Sequence, residues 1–202
     1  MKKELFNWRK KEMNYKQELF KAMKMLAEHP DTIFIGQNMK YGGTSMFYTM
    51  EEVPEEKRLE LPVFEEVQMG MSLGLALEGK IPITIYPRFD FLILAMNQLV
   101  NHLDKCDEMS GGQFKPKVII RTAIGSSQPL MPGPQHCQDH TEAIRKMVKY
   151  IKVVKLTKPE QIVPEYKKAL ESDGSTILVE IPDMYNKDLE ERLIKARKEW
   201  KK

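Results

Sequence analysis

The sequence predicts an α/β fold, a mostly parallel sheet forming the middle of three layers with helices on both faces. Three observations carry that prediction. Short apolar runs rich in β-branched residues recur along the chain, as buried strands do. Stretches with helical spacing lie between them, and such alternation implies a parallel sheet covered on both sides. Two long, irregular, turn-rich segments, Gln37 to Pro62 and Ala123 to His140, each follow a predicted strand. In an open parallel sheet the crevice beyond the carboxyl ends of the strands is where ligands bind.

The predicted strands are Thr32 to Ile35, Ile81 to Tyr86, Lys117 to Arg121, Ile151 to Leu156 and Thr176 to Ile181. The predicted helices are Gln17 to Ala27, Glu65 to Leu77, Phe91 to Leu103, Thr141 to Val148 and Pro159 to Leu170. Thr157 and Pro159 start the last of these as cap and first-turn residues. Asp188, with Leu189 and Leu193, opens a charged C-terminal helix that reaches Trp200. Neither internal repeats nor low-complexity segments interrupt the pattern. A single domain with a core at about 15–185 and helical ends is expected from 202 residues of which 42% are hydrophobic.

A formal charge of +3 from 32 basic and 29 acidic residues is near balance and gives no footprint of a nucleic-acid binder. The basic ends, Lys10-Lys11 and Lys195 to Lys202, read as solvated helix faces. Glu4 to Arg9 breaks any apolar signal core, and the longest apolar stretches, such as Phe91 to Met96 and Met69 to Leu77, are far too short to span a membrane. A cytoplasmic protein is expected, with Cys106 and Cys137 reduced.

The most informative segment runs from Leu61 through Glu65 and Glu66 to Gly70, Gly74 and Gly79. An acidic pair opening a helix is favourable with the helix dipole whatever its function. Gly70 and Gly74, four residues apart, share a helical face and allow a close approach by a neighbour, while Gly79 is placed as a C-cap. A carboxylate at the strand ends on a helix that packs closely against something else points to a subunit interface. His136 lies in a Pro/Gly-rich loop, an unusual setting for a core histidine. With Cys137 and His140 it also offers possible metal ligands, but Pro132 and Pro134 break the helical spacing that would bring the two histidines together. His29 and His102 receive no role.

Pro62, Glu65, Gly70, Gly74, Gly79 and Pro82 together resemble the motif around the cofactor-activating glutamate in beta subunits of 2-oxo-acid dehydrogenase decarboxylating components, and more distantly in transketolases. Further matches follow in the same order: Tyr41-Gly42-Gly43, Asp90-Phe91, Gln98 to Asn101, Met109 to Phe114, and His136-Cys137-Gln138. The resemblance covers roughly Gln17 to Tyr185 and implies the pyrimidine-binding domain of the thiamine-diphosphate-binding fold. By the resemblance, Glu65 shares a proton with the aminopyrimidine of thiamine diphosphate, a task suited to a buried carboxyl. Glu66 does not match by spacing to Gly70 and is expected to face solvent.

The resemblance also implies that Phe91 stacks on the pyrimidine, although an ordinary core phenylalanine is an equal reading of the residue itself. A family aromatic three residues earlier is Arg88 here, with Phe89 as the substitute wall. His136 matches an active-site histidine that stabilises an intermediate or moves protons. Gln37 stands where the family has a glutamate. The family holds the diphosphate through Mg bound by a Gly-Asp-Gly motif in a different domain. This sequence has no such motif and assigns metal to none of its residues, Asp173-Gly174 reading as a turn.

A diphosphate-binding partner subunit is therefore implied, in a heterotetramer acting on a small-molecule substrate without nucleic acid or membrane. Typical beta subunits continue into a further C-terminal domain that is not in this sequence. The expected function is that of the pyrimidine-binding subunit of a split enzyme for 2-oxo-acid decarboxylation with acyl transfer. Transketolase-type ketol transfer between sugars and a non-catalytic interaction module that keeps the fold remain alternatives.

Overall fold

A computed structural model of the chain describes residues 13–125 and 132–185, so the helix predicted from Asp188 and the basic ends lie outside the described residues. Six parallel strands form one sheet in the order β2-β1-β3-β4-β6-β5. They are β1 (Thr32–Gly36), β2 (Arg58–Glu60), β3 (Ile81–Tyr86), β4 (Ile119–Ala123), β5 (Lys152–Lys155) and β6 (Thr176–Glu180). The register sets Thr32 beside Ile81, Ile83 beside Ile119 and Ile119 beside Thr176, so all the central strands end at one common edge.

Alternation along the strands separates two cores. Phe34, Ile83, Ile119 and Leu178 face helices α1 (Tyr15–Glu28) and α6 (Pro159–Glu171). Val118, Ile120, Ile177 and Val179 face the other layer, made by α2 (Glu65–Leu77), α3 (Phe89–Leu92) with its continuation to Leu103, and α5 (Thr141–Met147). A short α4 (Cys106–Met109) leads toward β4. Helices on both faces of a parallel sheet are the three layers that the sequence predicts.

Several elements differ from expectation. The segment from Gln37 to Pro62 contains 3-10 turns at Phe47–Thr49 and Glu55–Lys57 and the edge strand β2. Burial of Met39, Met46, Met50 and Val53 organises it, and the Arg58 Nε–H donates to the Val53 carbonyl at 2.9 Å. The third predicted strand, Lys117 to Arg121, is observed two residues later as β4.

The helix expected from Phe91 to Leu103 starts at Phe89 and tightens to a 3-10 turn at Ile93–Ala95. It then widens to a π-helix at Asn97–Leu103. The spacing of its buried residues matches that sequence: Phe89, Leu92 and Ala95 are three apart, whereas Ala95, Leu99 and Leu103 are four apart. A tight turn keeps the first set on the core and a wider one the second. Lys158, not Thr157, is the N-cap of α6; the Gln161 side-chain carbonyl accepts from both backbone N–H groups and from the Thr157 hydroxyl. Gly79 stands just past α2 with φ +83, and its N–H donates to the Ala76 carbonyl, as a glycine C-cap should.

Candidate functional site

The carboxyl edge of the sheet carries the loops after β1, β3, β4 and β6, and a cavity of about 280 Å³ opens among them. Gln37, Thr44 and Ser45 line it from the first loop, Arg88 and Phe91 from the second, Gly125 from the third and Pro182 from the last. That volume lies just under the usual range for small-molecule sites, about 300–1,000 Å³.

Glu65 is the first residue of α2, and its side chain is buried against the sheet edge, only 6% exposed. The Gln37 amide donates to Glu65 Oε1 at 3.2 Å, so the carboxyl stands one hydrogen bond behind the cavity wall. The Tyr86 hydroxyl donates to the Glu65 backbone carbonyl at 3.2 Å and anchors the start of the helix. Burial, with the Glu65 carboxylate beside it, pushes the Tyr86 phenol well above its ordinary range and keeps it a proton donor. Glu66 points outward, exposed, and its carboxylate accepts from the Asn97 amide at 3.1 Å.

The first loop is shaped by Glu60, whose carboxylate accepts from the backbone N–H groups of Asn38, Met39 and Lys40 at 2.6–2.8 Å. Asn38 takes φ +57, a conformation that Asn tolerates better than most residues. This arrangement aims Gln37 at Glu65. The sequence reading missed both β2 and the role of Glu60. An available signal was the alternation Arg58-Leu59-Glu60-Leu61, with Asn38 as a left-handed residue on the facing loop.

His136 ends a 3-10 turn at Pro134–His136, and its ring packs edge-on to Phe91 with centroids 5.5 Å apart. Its Nδ1 is buried and has no hydrogen-bond partner among the described residues. The Arg88 guanidinium donates to the His136 carbonyl at 3.4 Å. A Cβ on Gly125 would lie 1.7 Å from that carbonyl oxygen, so only glycine lets the turn approach β4 so closely. Gln138 ties the same loop to α3 through Asp90 Oδ1 at 2.7 Å.

Of the three expected site residues Phe91 lines the cavity, while Glu65 stands behind Gln37 and His136 packs against the Phe91 ring, neither of them on the cavity wall. Phe89 is not among its walls: it is fully buried in the core and packs edge-on to His140. His140 Nε2 lies 3.7 Å from Asp90 Oδ1, too far for a hydrogen bond. The Met109 to Phe114 motif forms a turn at the opposite edge of the sheet, with Gly111 at φ +63 and Gly112 at φ +86.

On α2, Val67, Met71 and Gly74 lie on one exposed face beside exposed Phe64, Ile93 and Leu94. Gly70 has the Gln98 side chain at ordinary contact distance, while a Cβ on Gly74 would meet nothing within 4 Å. Nothing in the described chain makes the close approach that these glycines permit. No helix among the described residues is long and apolar enough to cross a membrane.

Residues 11–186 match the family described as "Transketolase, pyrimidine binding domain". The pyruvate dehydrogenase E1 component subunit beta of Chaetosphaeridium globosum is 30% identical over 168 residues, 82% of this chain and 50% of that protein. The chloroplastic subunit beta-3 of Oryza sativa subsp. japonica is 29% identical over 174 residues, 85% of this chain and 43% of that protein. The chain therefore spans about half the length of the curated relatives it matches, or less. A structure titled "Split gene transketolase, inactive beta4 tetramer" superposes with a TM-score of 0.64 at 19% identity, covering 83% of this chain and 51% of that one. Transketolase from Campylobacter jejuni superposes with a TM-score of 0.66 at 14% identity, over 85% of this chain and 26% of that one. With the family match running through every strand and every residue of the site, the chain belongs to the transketolase pyrimidine-binding domain family.

Proposed function

We propose that this chain is the pyrimidine-binding subunit of a split thiamine-diphosphate-dependent enzyme that decarboxylates a 2-oxo acid and transfers the acyl group. A partner subunit holds the diphosphate and its Mg, in a heterotetramer. The observation that carries the reading is the buried Glu65 carboxyl at the carboxyl edge of the sheet, held by the Gln37 amide behind the cavity that Phe91 lines. Names of the curated relatives, subunits beta of the pyruvate dehydrogenase E1 component, favour decarboxylation over ketol transfer.

Thiamine diphosphate, when bound, supplies a nucleophilic thiazolium carbon and an electron sink. Glu65 Oε1 accepts the Gln37 amide N–H, and the carboxyl would hold the proton shared with a pyrimidine ring nitrogen. Phe91 offers a ring face on the cavity side. The buried Nδ1 of His136, next to that ring, suits a group that moves a proton near the substrate. The exposed apolar face of α2, with Gly74 open, is the docking face for the partner.

Exchange of the thiazolium-carbon proton of added thiamine diphosphate, in the assembled complex, tests the assignment. Glu65→Gln is expected to slow exchange by about 100-fold or more. Glu66→Gln is expected to leave it unchanged. Equal exchange rates in wild type and the Glu65 variant refute the assignment and favour a non-catalytic module.

A further inference from the structure

We infer that Arg88 is the residue that selects the substrate, by binding its anionic group, a carboxylate or a phosphate, in the cavity beside Phe91. This inference rests on the functional reading above, which puts the substrate in that cavity. Arg88 is the one charged side chain among the described residues lining the cavity; the other polar side chains there are neutral, the amides of Gln37 and Asn38 and the hydroxyls of Thr44 and Ser45. Such a lining is rich in donors and contains no carboxylate.

Neither Glu65 nor Asp90 forms an ion pair with Arg88 among the described residues. Glu65 takes the Gln37 amide, and Asp90 takes the Gln138 amide. Among the described residues the arginine ion pairs are those of Arg121 with Glu180 and Arg145 with Glu142, and Arg88 has none. Its hydrogen bond to the His136 carbonyl is long, 3.4 Å, and uses one of five N–H donors. The half-buried guanidinium, unpaired among the described residues and open to the cavity, is free to meet an anion, and its planar fork suits an oxyanion.

Position makes the charge selective rather than generally attractive. Arg88 directly follows Pro87 at the end of β3 and precedes the helix that presents Phe91, so its backbone is fixed from both sides. The same side chain reaches the His136 turn. An anion bound there would lie beside Phe91, the ring assigned to the cofactor, and close to the turn that carries the histidine assigned to proton transfer.

The test uses the full chain assembled with its partner subunit and labelled with 15N-arginine. The Arg88 Nε–H resonance, identified by its loss in Arg88→Gln, is followed during titration with pyruvate and with fructose 6-phosphate. Each anion is set beside its uncharged counterpart, methyl pyruvate or fructose. One anion is expected to shift the resonance at a concentration about tenfold or more below that of its counterpart; pyruvate doing so identifies a carboxylate, and fructose 6-phosphate a phosphate. Arg88→Gln is expected to raise the KM for that anion by about tenfold or more, and Arg88→Lys to recover part of the loss.

Anion and uncharged counterpart acting alike on the resonance overturns the inference, as does an anion preference that survives Arg88→Gln. If Arg88→Gln does not assemble, Arg88→Lys gives the resonance assignment and the KM comparison. A wild-type complex that binds no thiamine diphosphate sinks the functional reading alone, because the resonance reports anion binding with or without cofactor.

Discussion

Gly125 and His136 share the tightest backbone contact at the site. A Cβ at residue 125 would meet the His136 carbonyl carbon at 2.7 Å and Cys137 Cα at 2.9 Å, all backbone that cannot swing aside. Gly125→Ala is therefore expected to displace the turn that carries His136. A displacement of about 1 Å costs on the order of 100-fold in turnover, which steady-state kinetics on the assembled enzyme would read. A different residue-scale effect comes from Arg121 and Glu180, both fully buried; the Arg121 Nε–H donates to Glu180 Oε1 at 2.5 Å, with Tyr166 and Tyr185 donating to the same carboxylate.

Burial alone would lower the Arg121 proton affinity, but the Glu180 carboxylate outweighs it and the guanidinium stays charged. Glu180→Gln leaves that charge uncompensated and is expected to cost about 3–5 kcal/mol in denaturant unfolding. A cost below about 1 kcal/mol contradicts the pairing. The placement of Glu65 at the start of α2, of Phe91 on the helix after β3 and of His136 in the loop after β4 was legible because each sits in a recognisable local pattern. Arg121 and Glu180 were not, because each reads singly as the polar end of a strand, and their partnership spans 59 residues.

At the scale of elements, Asp104 joins the end of the π-helix to the turn before β5. Its carboxylate accepts from the backbone N–H groups of Lys149, Tyr150 and Ile151 at 2.8–3.1 Å and pairs with Lys105. Burial would raise its pKa, but the Lys105 ammonium and these three N–H donors together hold it below the usual carboxylate value. A depressed folded-state pKa contributes stability that is fully present above the unfolded value, about 3.9, and is lost as the pH falls through the folded one. Asp104→Asn is thus expected to lower stability by about 2 kcal/mol at neutral pH, with the gap to wild type closing below about pH 4. Urea unfolding at a series of pH values measures this, and a gap independent of pH contradicts it.

Elements were legible where one signal set both ends. Helix α2 begins at the acidic pair and stops at Gly79, and its observed span, Glu65–Leu77, is the expected one. Strand β2 is three residues long and amphiphilic, too short for alternation to separate it from a loop. The change from 3-10 to π winding after α3 comes from packing against the sheet, which one-dimensional spacing only hints at.

Taken whole, the chain presents one cavity at the carboxyl edge of its sheet, which the proposed function reads as half of a shared site. The cavity faces outward from the carboxyl edge, and its described lining is neutral apart from Arg88. The alternation of strands and helices made the layered sheet legible. The strand order was not, since it depends on which crossovers fold inward. The exposed apolar face of α2, with Gly74 open, is where the proposed function places the partner subunit.

The central claim is therefore that cofactor binding belongs to the assembly. Titration calorimetry with thiamine diphosphate and Mg tests it, first on this chain alone and then after the partner subunit is added. Negligible heat from the isolated chain, and saturable, Mg-dependent binding once the partner is present, is the predicted result; tight, Mg-dependent binding by the isolated chain would contradict it.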